Sequence, residues 1–208
     1  MIWHNVEQNA PEWEALKLGK ASSSSYAKFM ANCGKPFGEP AHRYALQIAL
    51  ERITGRKADY SFKNDDMDRG NEQEPLARML YEELFFANVS NGGFFDFGEY
   101  GDSPDGIVGV KGRIEVKSVI ASTHEATIKR GSFDPAYKWQ MAGHFDPPDC
   151  EWVDFVSYCA DYPEWSQLVV YRTHREEMAD EIAKLHERRA EFLKLVAEKE
   201  SQLQQKAA

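Results

Sequence analysis

The sequence predicts the α/β class, a three-layer α/β/α sandwich around a mixed central sheet, on three observations. Two β-branched runs, residues 107–110 and 113–120, flank Lys111-Gly112 and form a tight hairpin, since the glycine can supply a positive φ. Two further alternating runs, 151–159 and 167–172, extend that sheet after an intervening helix. Helical stretches precede and follow them, an order of elements that covers a mixed sheet on both faces.

Taken in chain order, residues 11–18 form a short helix with Asn9 as its cap and Gly19 as its stop. Ala21-Ser22-Ser23-Ser24-Ser25 before Tyr26 reads as a serine-capped helix start. Residues 41–54 carry Tyr44, Ile48 and Ile53 on a packed helix ended by Gly55. Arg43, Arg52, Arg56 and Lys57 lie along and just beyond it, either as solvated charge or toward a polyanion. A longer helix, 66–86, sets Leu76, Met79, Leu80 and Leu84 on one face and tolerates Pro75 only if it effectively restarts there. Residues 89–101, rich in Gly and Phe, read as strand or hairpin, and 124–130 as helix or loop. Pro135 opens a helix over 135–145, with Tyr137 and His144 as packing residues. Trp165, between the last two strands, either packs or is exposed to stack on a base. Residues 174–205 form a charged helix with a narrow stripe of Met178, Ile182, Leu185, Phe192 and Val196.

With 208 residues, 42% of them hydrophobic and 12% aromatic, the chain has enough apolar material for one folded domain, 1–208. Its catalytic core is expected over about 66–172, with the helices of 10–55 on one side and 174–205 on the other. No apolar run is long enough to span a bilayer, and the first residues lack the basic and apolar regions of a leader, so a cytoplasmic protein is expected. Cys33, Cys150 and Cys159 form no C-x-x-C pair and are expected to be reduced, buried small hydrophobes. A net charge of -9 is an obstacle to nucleic-acid binding. The charge is uneven, though: residues 1–60 hold eight Lys and Arg against six Asp and Glu, so any DNA surface should draw on that part.

The chemistry concentrates in residues 103–117. Glu115 and Lys117 share a strand face while Val116 turns inward. In a regular two-residue hairpin Asp105 would face Ser118, so it must leave the ladder to join them. Pro104-Asp105-Gly106 is turn chemistry that permits this, as would a bulge at Gly109. Two carboxylates then converge beside a cation with no Cys or His nearby. Oxygen ligation suits Mg²⁺ or Mn²⁺ and disfavours zinc. An ordinary hairpin with a solvated Glu-Lys face is the competing reading of the same residues.

At this point the sequence resembles a known family. Pro104-Asp105, nine further residues, then Glu115-Val116-Lys117 is similar to the PD-(D/E)xK nuclease signature, and more narrowly to phage recombination exonucleases of the lambda exonuclease type. Trp13, Lys17-Leu18-Gly19 and the serines resemble that family's pocket for a 5′-phosphate. Lys17 stands where the family has Arg, and Ser22 and Ser24 supply hydroxyls. Arg69-Gly70 followed by Glu74-Pro75 and Ala77 resembles a helix whose glutamate faces the metal site. Tyr137 to Gln140 resembles the Y-x-x-Q helix, whose glutamine reaches toward the attacking water or the scissile phosphate.

The resemblance implies a restriction-endonuclease-like core with Asp105, Glu115, Lys117 and Gln140 catalytic. Mg²⁺, or Mn²⁺ in its place, would be held by Asp105, Glu115, the Val116 carbonyl and Glu74. It also implies 5′ to 3′ degradation of one strand from double-stranded DNA ends, a homotrimeric ring, and a single-strand annealing partner in phage recombination within a bacterial host. Two other readings stay open: an endonuclease of the same superfamily, and a non-catalytic DNA-binding or assembly protein.

Overall fold

The computed structural model describes residues 1–58 and 65–205. In order along the chain these form β1 (Ile2–His4), α1 (Pro11–Lys17), β2 (Ala21–Ser22), α2 (Ala27–Met30), α3 (Glu39–Thr54), α4 (Asp65–Phe85), β3 (Val89–Ser90), β4 (Phe94–Asp96) and β5 (Tyr100–Asp102). There follow β6 (Gly106–Val108), β7 (Gly112–Ser118), α5 (Ala121–Arg130), α6 (Lys138–Gly143), β8 (Trp152–Tyr158), β9 (Leu168–His174) and α7 (Ala179–Gln205).

The central sheet has the order β3-β6-β7-β8-β9 and is mixed: β7 and β8 run parallel, and the other neighbours antiparallel. The parallel pair needs a long crossover, which α5 and α6 supply. A smaller sheet, β1-β4-β5-β2, stands beside it. Alternation along β8 divides the core into two layers. Val153 and Phe155 meet α2, α3, α6 and α7 through Tyr26, Phe29, Ile48, Met141 and Phe192. Val156 and Tyr158, with Ile114 and Val116 of β7, meet α4 through Ala77 and Tyr81. Phe192 is fully buried and stacks on Phe29 and Tyr44 at ring separations of 4.4 and 5.5 Å, joining α7 to α2 and α3.

Several expectations need correction. The hairpin connection is Gly109-Val110-Lys111, with Val108 opposite Gly112, and Gly109 rather than Gly112 takes the positive φ, at +59°. Gly112 has a different reason to be glycine: a Cβ there would lie 2.2 Å from the Trp152 ring. On helix α4 the close approach to β7 is made by Ala77 and Tyr81, with Leu80 partly buried against the same core, while Leu76, Met79 and Leu84 of the predicted face are exposed. Ile53 is exposed on the last turn of α3, and Cys33 is exposed, unlike Cys150 and Cys159.

Asn9 does not cap α1. Ala10 is its N-cap and makes no side-chain cap bond, while Asn9 takes a left-handed φ of +63°. The serines do not cap a helix through their side chains either: β2 runs into a 3-10 turn at Ser23–Ser25, and Ser22 Oγ lies 3.0 Å from Ser24 Oγ instead. Residues 121–130 are helical, and Trp165 is 87% exposed on the loop between β8 and β9. Lys129 and Arg130 pair with Glu125 and Asp134. Among the described residues no helix is long and apolar enough to cross a membrane.

Candidate active site

The hairpin register makes the site. With Gly106 opposite Ile114, continuing the ladder by one residue sets Asp105 across from Glu115, and the Asp105 amide donates to the Ile114 carbonyl at 3.0 Å. The three-residue connection therefore achieves what a two-residue turn would have required a departure from the ladder to do. The Val116 amide donates to Asp105 Oδ2 at 2.6 Å, and Gln8 Nε2 reaches Asp105 Oδ1 at 3.3 Å.

A cavity of about 420 Å³ opens at the end of β7, lined by Asp105, Val116, Lys117, Glu74 from α4, and Tyr137 among others. Glu115 lies directly beneath, fully buried. Its Oε1 accepts from Gln140 Nε2 at 2.7 Å and pairs with the Lys117 ammonium, which also sits over the Tyr137 ring at 5.1 Å. Its Oε2 lies 2.8 Å from His144 Nε2. On the far side of that imidazole, Nδ1 is 3.0 Å from both oxygens of Asp102. Asp102, His144 and Glu115 are all buried. Carboxylates flank both ring nitrogens, so His144 donates from both and is an imidazolium.

The charges are strongly coupled. Burial favours a neutral Glu115, but Lys117 and His144 outweigh it and hold this carboxyl down at about 2. Burial, then the neighbouring Glu115 and Glu74, push Asp105 well above the ordinary carboxylate range. Glu74 is raised too, by burial and by Glu115, against Arg78. Burial works against the His144 charge, yet Asp102 and Glu115 raise it to about 10. Lys117, although buried, is raised by Glu115 and Asp105 and stays an ammonium.

Such a donor set fits a hard divalent ion. Buried oxygens that repel one another are relieved by a cation, and no thiol or unprotonated imidazole is offered. Among the described residues no three His, Cys, Asp or Glu side chains close around one point. One or two carboxylates with water is a normal Mg²⁺ set, which Asp105 and Glu115 would satisfy, and Glu74 stands on the wall of the same cavity. Val116 lines the same cavity.

The hydroxyl pocket is a separate concavity of about 250 Å³, lined by Trp13, Lys17, Lys20, Ser22, Ser24, Ser25, Glu51 and Lys57 among others. Lys17 Nζ lies 3.6 Å from the Trp13 ring centroid, and burial lowers its pKa to about 8. Lys57 pairs with Glu14 and Lys20 with Asp96. Arg52 is engaged within the fold, donating to the Gly19 carbonyl and pairing with Glu99 and Glu200. Asn9 also lines a smaller cavity with Gln8, Glu74 and Asp105, so that cavity shares a wall residue with the hydroxyl pocket and two with the cavity at β7.

Sequence reasoning missed Asp102 and Gln8 and assigned His144 to packing. One signal was available. His144 follows Gln140 by four residues, one helical turn, so the side chain beside the glutamine faces the same partner. Nothing in the spacing pointed to Asp102 or Gln8, which reach the site through the smaller sheet and the segment before α1.

Paired carboxylates and a lysine at the end of a mixed sheet, with helices on both faces, define the α/β class of PD-(D/E)xK-type exonuclease folds. Within it, residues 12–145 match the YqaJ-like viral recombinase domain, and the chain belongs to that family. Two crystal structures of an alkaline exonuclease from Laribacter hongkongensis, one in complex with dAMP, are each 32% identical to this chain, covering 95% of it and 98% of that chain at a TM-score of 0.85. A phage-related exonuclease from Haemophilus somnus is 17% identical, covers 91% of this chain and 96% of that one at a TM-score of 0.65, and shares the fold. No curated protein sequence matches.

Proposed function

We propose that the protein is a divalent-metal-dependent DNA exonuclease that removes nucleotides 5′ to 3′ from one strand at duplex ends, in phage-type recombination. The observation that carries this reading is the register that opposes Asp105 to Glu115 beside Lys117, at a cavity lined by Asp105 and Lys117. The alkaline exonuclease related to it over nearly the whole chain, crystallised with a deoxynucleoside monophosphate, supports the same chemistry.

Asp105 and Glu115 would hold the ion, with Glu74 and the Val116 carbonyl completing the set. A bound Mg²⁺, or Mn²⁺ in its place, supplies an acidified water and offsets charge on the phosphate and the leaving 3′-oxygen. Lys117 is an electrostatic group in this reading. An ammonium held so firmly by two carboxylates is a poor proton acceptor, so it stabilises the charge that grows on the phosphorane. Gln140 keeps the Glu115 carboxylate oriented, and through it the attacking water. Lys17, Ser22 and Ser24 receive the terminal 5′-phosphate, with the lysine acting as a point charge and not a bidentate fork.

Leu76, Met79, Leu84 and Phe86, exposed on and just after α4, are consistent with a homotrimeric ring. An annealing protein as partner and a cytoplasmic location complete the reading. Digestion of linear duplex with Mg²⁺, comparing 5′-phosphate with 5′-hydroxyl ends and including covalently closed duplex, tests it. Release of mononucleotides from phosphorylated 5′ ends with the closed form intact is expected. Cutting of the closed form would make the protein an endonuclease.

A further inference from the structure

The Asp102-His144 pair lies outside the signature residues, yet it is tied to them through buried contacts. His144 is the residue that closes α6, Asp102 is the last residue of β5, and Glu115 is the middle of β7. The imidazole thus joins three elements, and it bonds the one oxygen of Glu115 that Gln140 and Lys117 do not use. A carboxylate with both oxygens held cannot turn about its Cγ–Cδ bond. Asp102 in turn prevents the ring from turning, since each of its oxygens is 3.0 Å from Nδ1.

We propose that Asp102 and His144 are positioning residues that fix the carboxylate plane of Glu115 for divalent-metal binding. The proposal rests on the reading of Glu115 as a metal ligand. A ligand that must be immobilised at each binding event binds more weakly than one already held, and the partners of ligating side chains typically account for 10–100-fold in metal affinity. The pair also has a place in the layout of the whole site. β5 pairs with β2 so that Ser22 lies opposite Gly101, the residue before Asp102. The hydroxyl pocket and the Glu115 carboxylate are therefore referenced to one strand, and the tether sets the span between them.

The test is Mn²⁺ titration of the full chain without DNA, followed by calorimetry, with melting temperature recorded for each variant. Asp102→Ala and His144→Ala are expected to weaken Mn²⁺ binding about 10- to 100-fold. Asp102→Asn keeps an acceptor for Nδ1–H and should recover most of that loss. If His144→Ala does not fold, the comparison of Asp102→Asn with Asp102→Ala carries the test alone. Unchanged Mn²⁺ affinity in a folded His144→Ala or Asp102→Ala overturns the proposal, as does Asp102→Asn binding no better than Asp102→Ala. Glu115→Gln separates the two layers of argument. If it binds Mn²⁺ as the wild type does, the metal-site reading itself is wrong. If it loses binding while Asp102→Ala does not, only the positioning role falls.

Discussion

Lys17 is the residue at which the sequence departs most informatively from the family it resembles. An arginine would remain charged at any working pH, whereas a lysine beside Trp13 and largely buried has its pKa lowered to about 8. The protonated form attracts a phosphate and is the dominant form below that value, so the preference for 5′-phosphate over 5′-hydroxyl ends should decline as pH rises through about 8. Lys17→Arg should carry the preference to higher pH and Lys17→Ala should abolish it. Equal preference at pH 7 and pH 9.5 in the wild type would refute the assignment. Glu115 and Lys117 were legible at this scale because alternation along a strand fixes which side chains share a face. His144 was legible only in part: its spacing of one turn from Gln140 points it to the same partner, but the second carboxylate, Asp102, comes from a strand whose pairing the sequence does not reveal.

Among the elements, the hairpin carries the most consequence. Its existence was legible from two β-branched runs, but its register was not, since Gly109 and Gly112 both offer a turn and a one-residue change of loop length shifts the pairing. The choice falls on Gly109 in the left-handed region, with Gly112 reserved for the close approach of Trp152. Gly109→Val should therefore destabilise the fold by about 1–2 kcal/mol, measured by urea denaturation, and lower nuclease activity with it. A variant as stable as the wild type would mean that the loop relaxes without strain. Helix α4 shows a different limit: periodicity sets its leucines on one face, while the closest contact with the sheet uses Ala77 and Tyr81, the latter donating to Asp154 at 2.7 Å. Periodicity gives the helix, but which stripe faces the sheet depends on how closely the backbones approach.

For the whole molecule, the α/β class and the order of elements followed from pattern alone, whereas the separate small sheet did not, because strands of two or three residues leave little periodic signal. In the proposed reading that sheet matters to function, since it carries Ser22 and Asp102 on adjoining strands. The helical layer that supports it depends on Phe192, and Phe192→Ala should lower stability by about 3–5 kcal/mol in thermal or denaturant unfolding. A loss under 1 kcal/mol would show that α7 is not integral to the core. The acidic balance, -9 overall, adds to the repulsion between DNA and the carboxylates, which a bound cation would offset. The most direct measurement is the digestion of duplex labelled at one 5′ end by the wild type, Asp105→Ala and Lys117→Ala, with and without Mg²⁺, alongside DNA binding by each. The account expects Mg²⁺-dependent release of labelled mononucleotide by the wild type, a loss of at least about 100-fold in both variants, and DNA binding retained. Digestion by either variant at the wild-type rate, or no digestion by the wild type with Mg²⁺ or Mn²⁺, would contradict it.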